Sequence, residues 1–563
     1  MPNGLQGTKP FETSGPLPEG VVDVVVVGAG VNGLAVARDL AVRGASVVVL
    51  ERDDVGARTS AISSRLIHGG LKYLERLDLR LVVESIVERN RLLRTAPHLV
   101  RRYPMLIPFY RGASRPGWLL AAGAIVHDVM SVGKRLPLNR LVSKRELRRR
   151  WPGLDTRGLQ GGVVFEDAQV PLSERLCVEL ALGAQEHGAV FRTHSTVTRI
   201  VPGSPSTVEY RDEIEGGAPR RVRARVVVNA AGPWVDEVLG RAEGASDRLI
   251  GPTKGTHIVV EPFPGAPETC VFFEARSDQR PMFVMPWGTR YMIGCTDIPY
   301  DEDLDEIVAS REEIDYLIDE TNALVPSARL RHEGVLWSYS GVRPLPYVGP
   351  VTDPSKISRG HVVVRHTGEL AGVVSIVGGK LTTHRALGQD VGDVVVGMLP
   401  GPRHRSTTAR LAFPGAVADP QVLVRELAAT TTLAPADVRR LVGIYGSRAA
   451  QVLALVRDDP ALGQKLGATG TLAAEIVHGF EHEGARSLAD CLVRRTALVM
   501  SRDRGLAVAE DASRVAAARL GWNESRRKAE LAATVHELSS SVAPHQNDVP
   551  TPGLTVERKA DHG

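Results

Sequence analysis

The rhythm of hydrophobic positions changes along the chain, and each change predicts a different element. Residues 21–27 are β-branched without a break except at Asp23, the pattern of a strand buried on both faces of a parallel sheet. A glycine-rich turn follows, then helical spacing over 31–43 that Gly44 ends, then a second apolar run over 46–50. Strand, helix and strand in that order predict a β-α-β unit at the first ordered residues.

Further short runs at 226–228, 258–260, 283–285, 291–293 and 362–364 predict strands, those between 251 and 300 antiparallel. Helical spacing recurs at 79–94, 172–187 and 312–324. From 417 to 535 Ala, Leu, Val, Arg and Glu repeat at helical intervals, punctuated by Pro435, Pro460 and Gly521. This predicts a separate helical domain over 409–536, joined by a basic linker at 401–408. Residues 1–20, rich in Gly and Pro, and the polar residues 537–563 are expected to be disordered tails.

Composition narrows the classes. A chain of 563 residues has room for about two or three domains and a large core. Its 43% apolar and 24% charged residues are ordinary for a globular protein. A net charge of +4 is too weak by itself to imply nucleic acid as a partner. The cysteines, Cys177, Cys270, Cys295 and Cys491, have no ligand-like spacing, which argues against a disulfide framework or a metal site and fits a reducing compartment. The head of the chain lacks the apolar stretch of a signal peptide, and no run of about 18 apolar residues occurs. A cytoplasmic protein, at most peripheral to a membrane, is expected.

Gly28-Ala29-Gly30-Val31-Asn32-Gly33 is a G-x-G-x-x-G turn between the first strand and helix. Gly28 permits the tight turn, Gly30 lets a pyrophosphate approach the backbone, and Gly33 packs helix on strand. The helix N-terminus adds its dipole, and Glu51, closing the second strand, suits a ribose diol. NAD and FAD share that adenosine half. Two later turns favour FAD: the strand 226–228 running into Asn229-Ala230-Ala231-Gly232, and Gly378-Gly379-Lys380-Leu381-Thr382-Thr383 after the apolar run 373–377. Distant glycine turns returning to one sheet suit a long cofactor that needs several close backbone approaches.

Six segments carry a family resemblance: 59–75 (TSAISSRLIHGGLKYLE), 254–260 (KGTHIVV), 285–287 (MPW), 293–297 (IGCTD), 337–345 (WSYSGVRPL) and 378–385 (GGKLTTHR). In this order they resemble the aerobic FAD-dependent glycerol-3-phosphate dehydrogenases, over roughly residues 20 to 530. The resemblance implies a fold like that of the D-amino-acid oxidases: a Rossmann-like α/β FAD-binding domain interleaved with an antiparallel-sheet substrate domain, plus the helical C-terminal domain. The FAD-binding part is expected at about 21–100, 155–245 and 340–400, and the substrate part at about 101–154 and 246–339. It implies oxidation of sn-glycerol 3-phosphate to dihydroxyacetone phosphate, in glycerol catabolism, with electrons passed to a quinone. Lys72 stands where many relatives show arginine, and His384 where tyrosine is common.

Such chemistry needs a base for the hydroxyl proton, a hydride acceptor and cations for the phosphate. The resemblance makes Arg343 the anion clamp and raises His257, whose ordinary pKa suits a base, to the catalytic histidine. Lys380, in a glycine turn where cations are otherwise disfavoured at a helix start, stabilises reduced flavin or binds substrate. Lys72, Tyr73 and Thr383 are expected to bind substrate. Ser60, His68, Gly232, Gly378, Gly379, Leu381 and Thr382 join the first glycines and Glu51 at the cofactor.

Residues 101–151 are crowded with Arg and Lys, against Asp128 and Glu146, around an apolar segment at 118–126. Two readings stand: a solvated helical insertion, or an element that dips into the cytoplasmic face of a membrane while its cations meet anionic headgroups. No aromatic stacking platform accompanies the charge, so nucleic acid is not expected. An oxidase of the same fold using oxygen, an amine oxidase that anchors a carboxylate with Arg343, and a non-catalytic nucleotide-binding scaffold are the rival readings. A homodimer is left open.

Overall fold

Val21–Val27 lies in the middle of a sheet, which is why Val24 to Val27 are all buried. The computed structural model describes residues 9–70, 78–130, 136–243, 247–349, 357 and 359–539. Val47–Leu50 and Arg220–Asn229 flank the first strand, both parallel to it. Val373–Gly378 and Val190–Arg192 extend the sheet in parallel on the two sides, and His361–Arg365 closes one edge antiparallel. The helices Val31–Val42, Ser173–Gln185 and His384–Val396 cover one face. The hairpin Ser195–Val201 and Ser206–Asp212, with the helix Val235–Gly240, covers the other. Because the strands come from distant stretches, every strand-to-helix turn at one end of the sheet can face a single long ligand.

Among the described residues a second sheet of ten strands stands beside it. Thr253–Val260 is paired on both sides, by Arg290–Gly294 and by Val335–Arg343, and all its residues are buried. Among the described residues the pairing is antiparallel throughout, save Cys270–Glu274 beside Arg101–Tyr110. The helix Arg311–Leu324, started by a Ser310–Glu313 capping box, packs on this sheet.

Several expected boundaries move. Leu159–Gln169 and Val335–Arg343, expected within the FAD-binding part, are strands of the second sheet. Arg101–Tyr110, expected at the head of a surface insertion, pairs along its length with Leu159–Gln169 and buries Met105, Leu106 and Ile107. The arginines that open it, Arg101 and Arg102, disguise a strand whose remaining side chains are mostly apolar. The head of the chain is not a free tail either. Phe11 is buried against Phe191, its N–H donates to the His482 carbonyl at 3.2 Å, and the Thr13 hydroxyl donates to the Gly484 carbonyl at 2.8 Å. The helix Glu524–Ser539 likewise runs past residue 536 and buries Leu538.

The C-terminal helices, among them Pro435–Tyr445, Ala449–Asp458, Ala473–Glu481 and Ala509–Leu520, gather two apolar clusters of their own. Their contact with the first sheet's helices is ionic. Arg175 holds Glu483 at 2.7 Å, and Arg448 holds Glu179 at 3.0 Å, all four buried. Burial alone would raise the Glu179 carboxyl; Arg448, His98 and Arg175 outweigh it and hold it near about 2. Among the described residues no helix is long and apolar enough to cross a membrane.

Candidate active site

The first glycine turn reserves space in two senses. Gly28 adopts φ +104°, and a Cβ there would stand 2.7 Å from the Ala230 carbonyl oxygen. A Cβ at Gly33 would stand 2.1 Å from the Gly28 oxygen, so helix and strand touch only because neither carries a side chain. Gly30 differs. A Cβ there would meet only Ser60 Oγ, at 3.3 Å, so its space opens to a ligand instead of to protein. The helix Val31–Val42 begins with no side-chain cap and no acid in its first turn, which leaves its positive end for an anion. Ser60 Oγ accepts the Val31 N–H at 2.9 Å. Glu51 accepts the N–H groups of Ala29 at 2.6 Å and Asp53 at 2.9 Å. Burial, and then Asp53 beside it, push its carboxyl above the ordinary range.

Two cavities meet beyond this turn. The first runs from Glu51, Trp234 and Gly232 past Gly28 and Gly30 to His257 and Lys380. The second, of about 1200 Å³, runs from Lys380 to the helix Gly117–Met130 and is lined by His68, Gly378 and Thr382 on the way. Thr59, Ser64, Arg343, Gly379, Lys380 and Leu381 line both. An acid at one end, a glycine turn in the middle and a second glycine turn at the far end fit an extended dinucleotide. Gly378 and Gly379, at φ +80° and +97°, supply that second turn. Asn32 ties the turns together by donating to the Gly378 carbonyl at 3.2 Å.

The candidate catalytic groups sit where the cavities join. His257 projects from Thr253–Val260, stacked on Tyr339 of one neighbouring strand with ring centroids 4.9 Å apart. On the other side its register partner is Gly294, where a Cβ would stand 2.3 Å from the ring. Ser64 Oγ bonds Nε2 at 2.8 Å, while Nδ1 is buried without a partner among the described residues. Arg343 ends the strand Val335–Arg343 and crosses Gly255, whose Cβ would stand 2.2 Å from its Nη2. Its Nη1 donates to Asp297 Oδ1 at 2.9 Å, and Arg359 donates to Asp297 Oδ2 at 2.5 Å. One carboxylate thus holds two guanidinium groups side by side at the cavity wall.

Burial changes the chemistry expected of these groups. His257 was expected to titrate in its ordinary range. Desolvation first, then the nearby Arg343 and Arg65 cations, lower it to about 3, which favours the neutral ring near neutral pH. Desolvation also lowers Lys380 to about 7, against Glu84 and Asp78, which raise it. Of these two groups it is Lys380, not His257, that burial brings near neutrality.

Of the expected substrate ligands, Thr383 is buried at the start of the helix His384–Val396 and lines neither cavity. Thr382 is the one that faces the second cavity, and its hydroxyl accepts the His68 N–H at 3.2 Å. Lys72 and Tyr73 lie outside the described residues. Sequence reading missed Arg359, Asp297 and Ser64. Asp297 and Ser64 stand within quoted motifs without an assigned role, and Arg359 has no motif around it.

Two outcomes follow from this geometry. Gly30→Val fills ligand space without striking backbone, so the folded protein is expected to lose FAD on gel filtration; retained flavin at wild-type affinity would displace the cofactor from this turn. Second, affinity for a phosphorylated substrate should fall as pH rises through and above about 7, where Lys380 loses its charge. Lys380→Met should flatten that limb. His257→Gln should leave it in place while slowing flavin reduction by about 10²–10⁴-fold, the scale of a lost base. A limb that follows His257 instead, read by stopped-flow across pH, would reverse the assignment.

Comparison with known proteins agrees with this architecture. Residues 23–385 match the FAD dependent oxidoreductase family, and residues 406–527 match the C-terminal domain of alpha-glycerophosphate oxidase. The chain is 39% identical to a glycerol-3-phosphate dehydrogenase of Synechocystis, over 90% of this chain and 94% of that one. It is 34% identical to a D-erythritol 1-phosphate dehydrogenase of Brucella abortus, over 84% of this chain and 94% of that one. The crystal structure of a glycerol-3-phosphate dehydrogenase from Bacillus halodurans complexed with FAD aligns with a TM-score of 0.76 at 25% identity, covering 93% of this chain and 96% of that one. With both domains matched and its glycine turns built for a dinucleotide, this chain belongs to the FAD-dependent glycerol-3-phosphate dehydrogenase family.

Proposed function

We propose that the protein oxidises sn-glycerol 3-phosphate to dihydroxyacetone phosphate and passes the electrons to a quinone at a membrane surface. The observation that carries this reading is the paired guanidinium groups of Arg343 and Arg359, held by Asp297 beside Lys380 and His257. Two guanidinium cations and an ammonium around one carboxylate leave an excess of positive charge that suits a phosphate dianion better than the single carboxylate of an amino acid. FAD, when bound, supplies the hydride acceptor. With the phosphate anchored there, the substrate hydroxyl comes to the His257 side of the cavity, and the neutral imidazole takes its proton. Lys72 and Tyr73 complete the substrate site in this reading.

The quinone is favoured over oxygen by the second cavity. Its outer wall is the helix Gly117–Met130, which lines it with Leu119, Leu120 and Val126. The same helix exposes Trp118 at 72% and Ile125 at 61%. An apolar helix that faces both solvent and cavity, followed by the basic helix Lys144–Arg150, suits a lipid interface with anionic headgroups. The protein then sits peripherally on the cytoplasmic face. Of the basic stretch, 101–110 belongs to the sheet, so the surface element is confined to its later part.

Anaerobic flavin reduction by glycerol 3-phosphate, followed by turnover with a quinone analogue, a dye or oxygen, tests the reaction. Faster reduction by D-erythritol 1-phosphate would move the substrate to a longer polyol phosphate. Arg343→Ala is expected to lower kcat/KM by about 2 kcal/mol, mainly through KM, the scale of a lost charge-assisted bond. Arg343→Lys should lose less, and unchanged kinetics in the alanine variant would make Arg343 a structural partner of Asp297. Binding to anionic vesicles should weaken with salt and with Trp118→Ser plus Leu119→Ser. That double variant should lose quinone-linked but keep dye-linked turnover; indifference of the wild type to vesicles at low salt would remove the membrane.

A further inference from the structure

The C-terminal domain reaches the flavin site at one buried residue. Asp54 is 0% exposed and stands three positions past Glu51, at the head of the loop that runs to Ser64. Arg495 grips its carboxylate with both terminal nitrogens, at 2.5 and 2.8 Å, and Arg494 Nε adds a third bond at 2.7 Å. Consecutive residues on an α-helix diverge by roughly 100° and seldom share a partner. Here both arginines belong to a π-helical turn, Cys491–Arg495, whose wider winding presents them together. Their remaining donors are anchored within the C-terminal domain, Arg494 on Asp490 at 2.7 Å and Arg495 on the Glu483 carbonyl at 2.8 Å. Asp490 also reaches back, bonding His194 at 2.9 Å, while the His194 N–H donates to the Asp53 carbonyl at 2.8 Å.

From Asp54 onward the loop is stitched to the cofactor site at each step. The Gly56 N–H donates to the Ala29 carbonyl at 2.9 Å, inside the first glycine turn. Thr59 donates to the Val342 carbonyl at 2.9 Å, beside Arg343. Ser60 takes the Val31 N–H, and Ser64 meets His257. The loop therefore links the ribose acid, the pyrophosphate turn and the candidate base, and one of its anchors, the Asp54 carboxylate, is held by the other domain.

We propose that the C-terminal domain acts as a clamp on the flavin-binding loop, with Arg494 and Arg495 as positioning residues that act on FAD through Asp54. The inference rests on reading residues 51–64 as part of the FAD site. Without the clamp the loop loses this anchor, so FAD is held less tightly even where the helical domain stays folded.

Full-length holoprotein tests this with Asp54→Asn, which keeps the shape and removes the charge, and with Arg495→Lys, which leaves the Arg494 bond. Asp54→Asn should raise the Kd for FAD by about 10-fold or more, the scale on which partners one step removed from a ligand act. Amide hydrogen exchange over 56–60 should quicken, while Pro435–Tyr445 keeps wild-type protection. Arg495→Lys should shift both in the same direction by less, and carries the test alone if Asp54→Asn does not fold. A folded variant with wild-type FAD affinity and loop exchange overturns the clamp. So does a uniform rise in exchange through both the loop and Pro435–Tyr445, which marks an ordinary domain contact. Gly30→Val separates the two readings: if it too keeps FAD, the site assignment fails, whereas loss of FAD there alone sinks only the clamp.

Discussion

A ligand threaded through a folded chain needs backbone where side chains would otherwise stand, and this site depends on that space being kept. Overpacking a core typically costs about 1–3 kcal/mol, so a side chain added at such a point moves whatever it meets. At Gly28 and Gly33 the neighbours are backbone atoms that cannot yield. At Gly255 and Gly294 they are the guanidinium of Arg343 and the ring of His257. The two strands flanking Thr253–Val260 therefore place the imidazole as much through a missing side chain at Gly294 as through the stacked ring of Tyr339.

The contact between domains follows a different rule. Arg175, Glu483, Arg448 and Glu179 are buried together, and so are Asp54, Arg494 and Arg495. Pairing buried ions gains little net stability over apolar packing, but removing one partner costs about 3–5 kcal/mol because the other is left uncompensated. Such an interface tolerates only its own register. That suits a contact whose far side is a cofactor loop, where a slipped register would displace Ser60 and Ser64 together.

What the sequence disclosed was whatever depends on local pattern. The run 21–27, the glycine turn and the following helix are visible because burial on both faces of a parallel strand leaves no polar positions except Asp23. The family motifs brought His257, Arg343 and Lys380 to one place, and the cavities bring them together as well. What stayed hidden depends on partners distant in the chain. Arg101–Tyr110 opens with exposed charges, so its membership of the second sheet is decided by Leu159–Gln169 across from it. Phe11 looks like part of a loose tail until Phe191 and His482 surround it. Arg359 acquires meaning only through Asp297, and Thr383 is turned inward at the helix start, away from both cavities.

The lowered basicity of His257 sits well with a proposed role as proton acceptor. A base that holds its proton poorly would fail to ionise an alcohol in a separate first step. It need not do so when hydride leaves the same carbon, because the hydroxyl then becomes that of a protonated carbonyl, a far stronger acid than imidazolium. Transfer to a ring of lowered basicity is easier at that moment than before the hydride leaves. Burial first, and the Arg343 and Arg65 cations after it, disfavour the protonated ring. In the proposed mechanism Arg343 is paired through Asp297 with Arg359 for the anion, and its charge adds to the burial that lowers the basicity of His257.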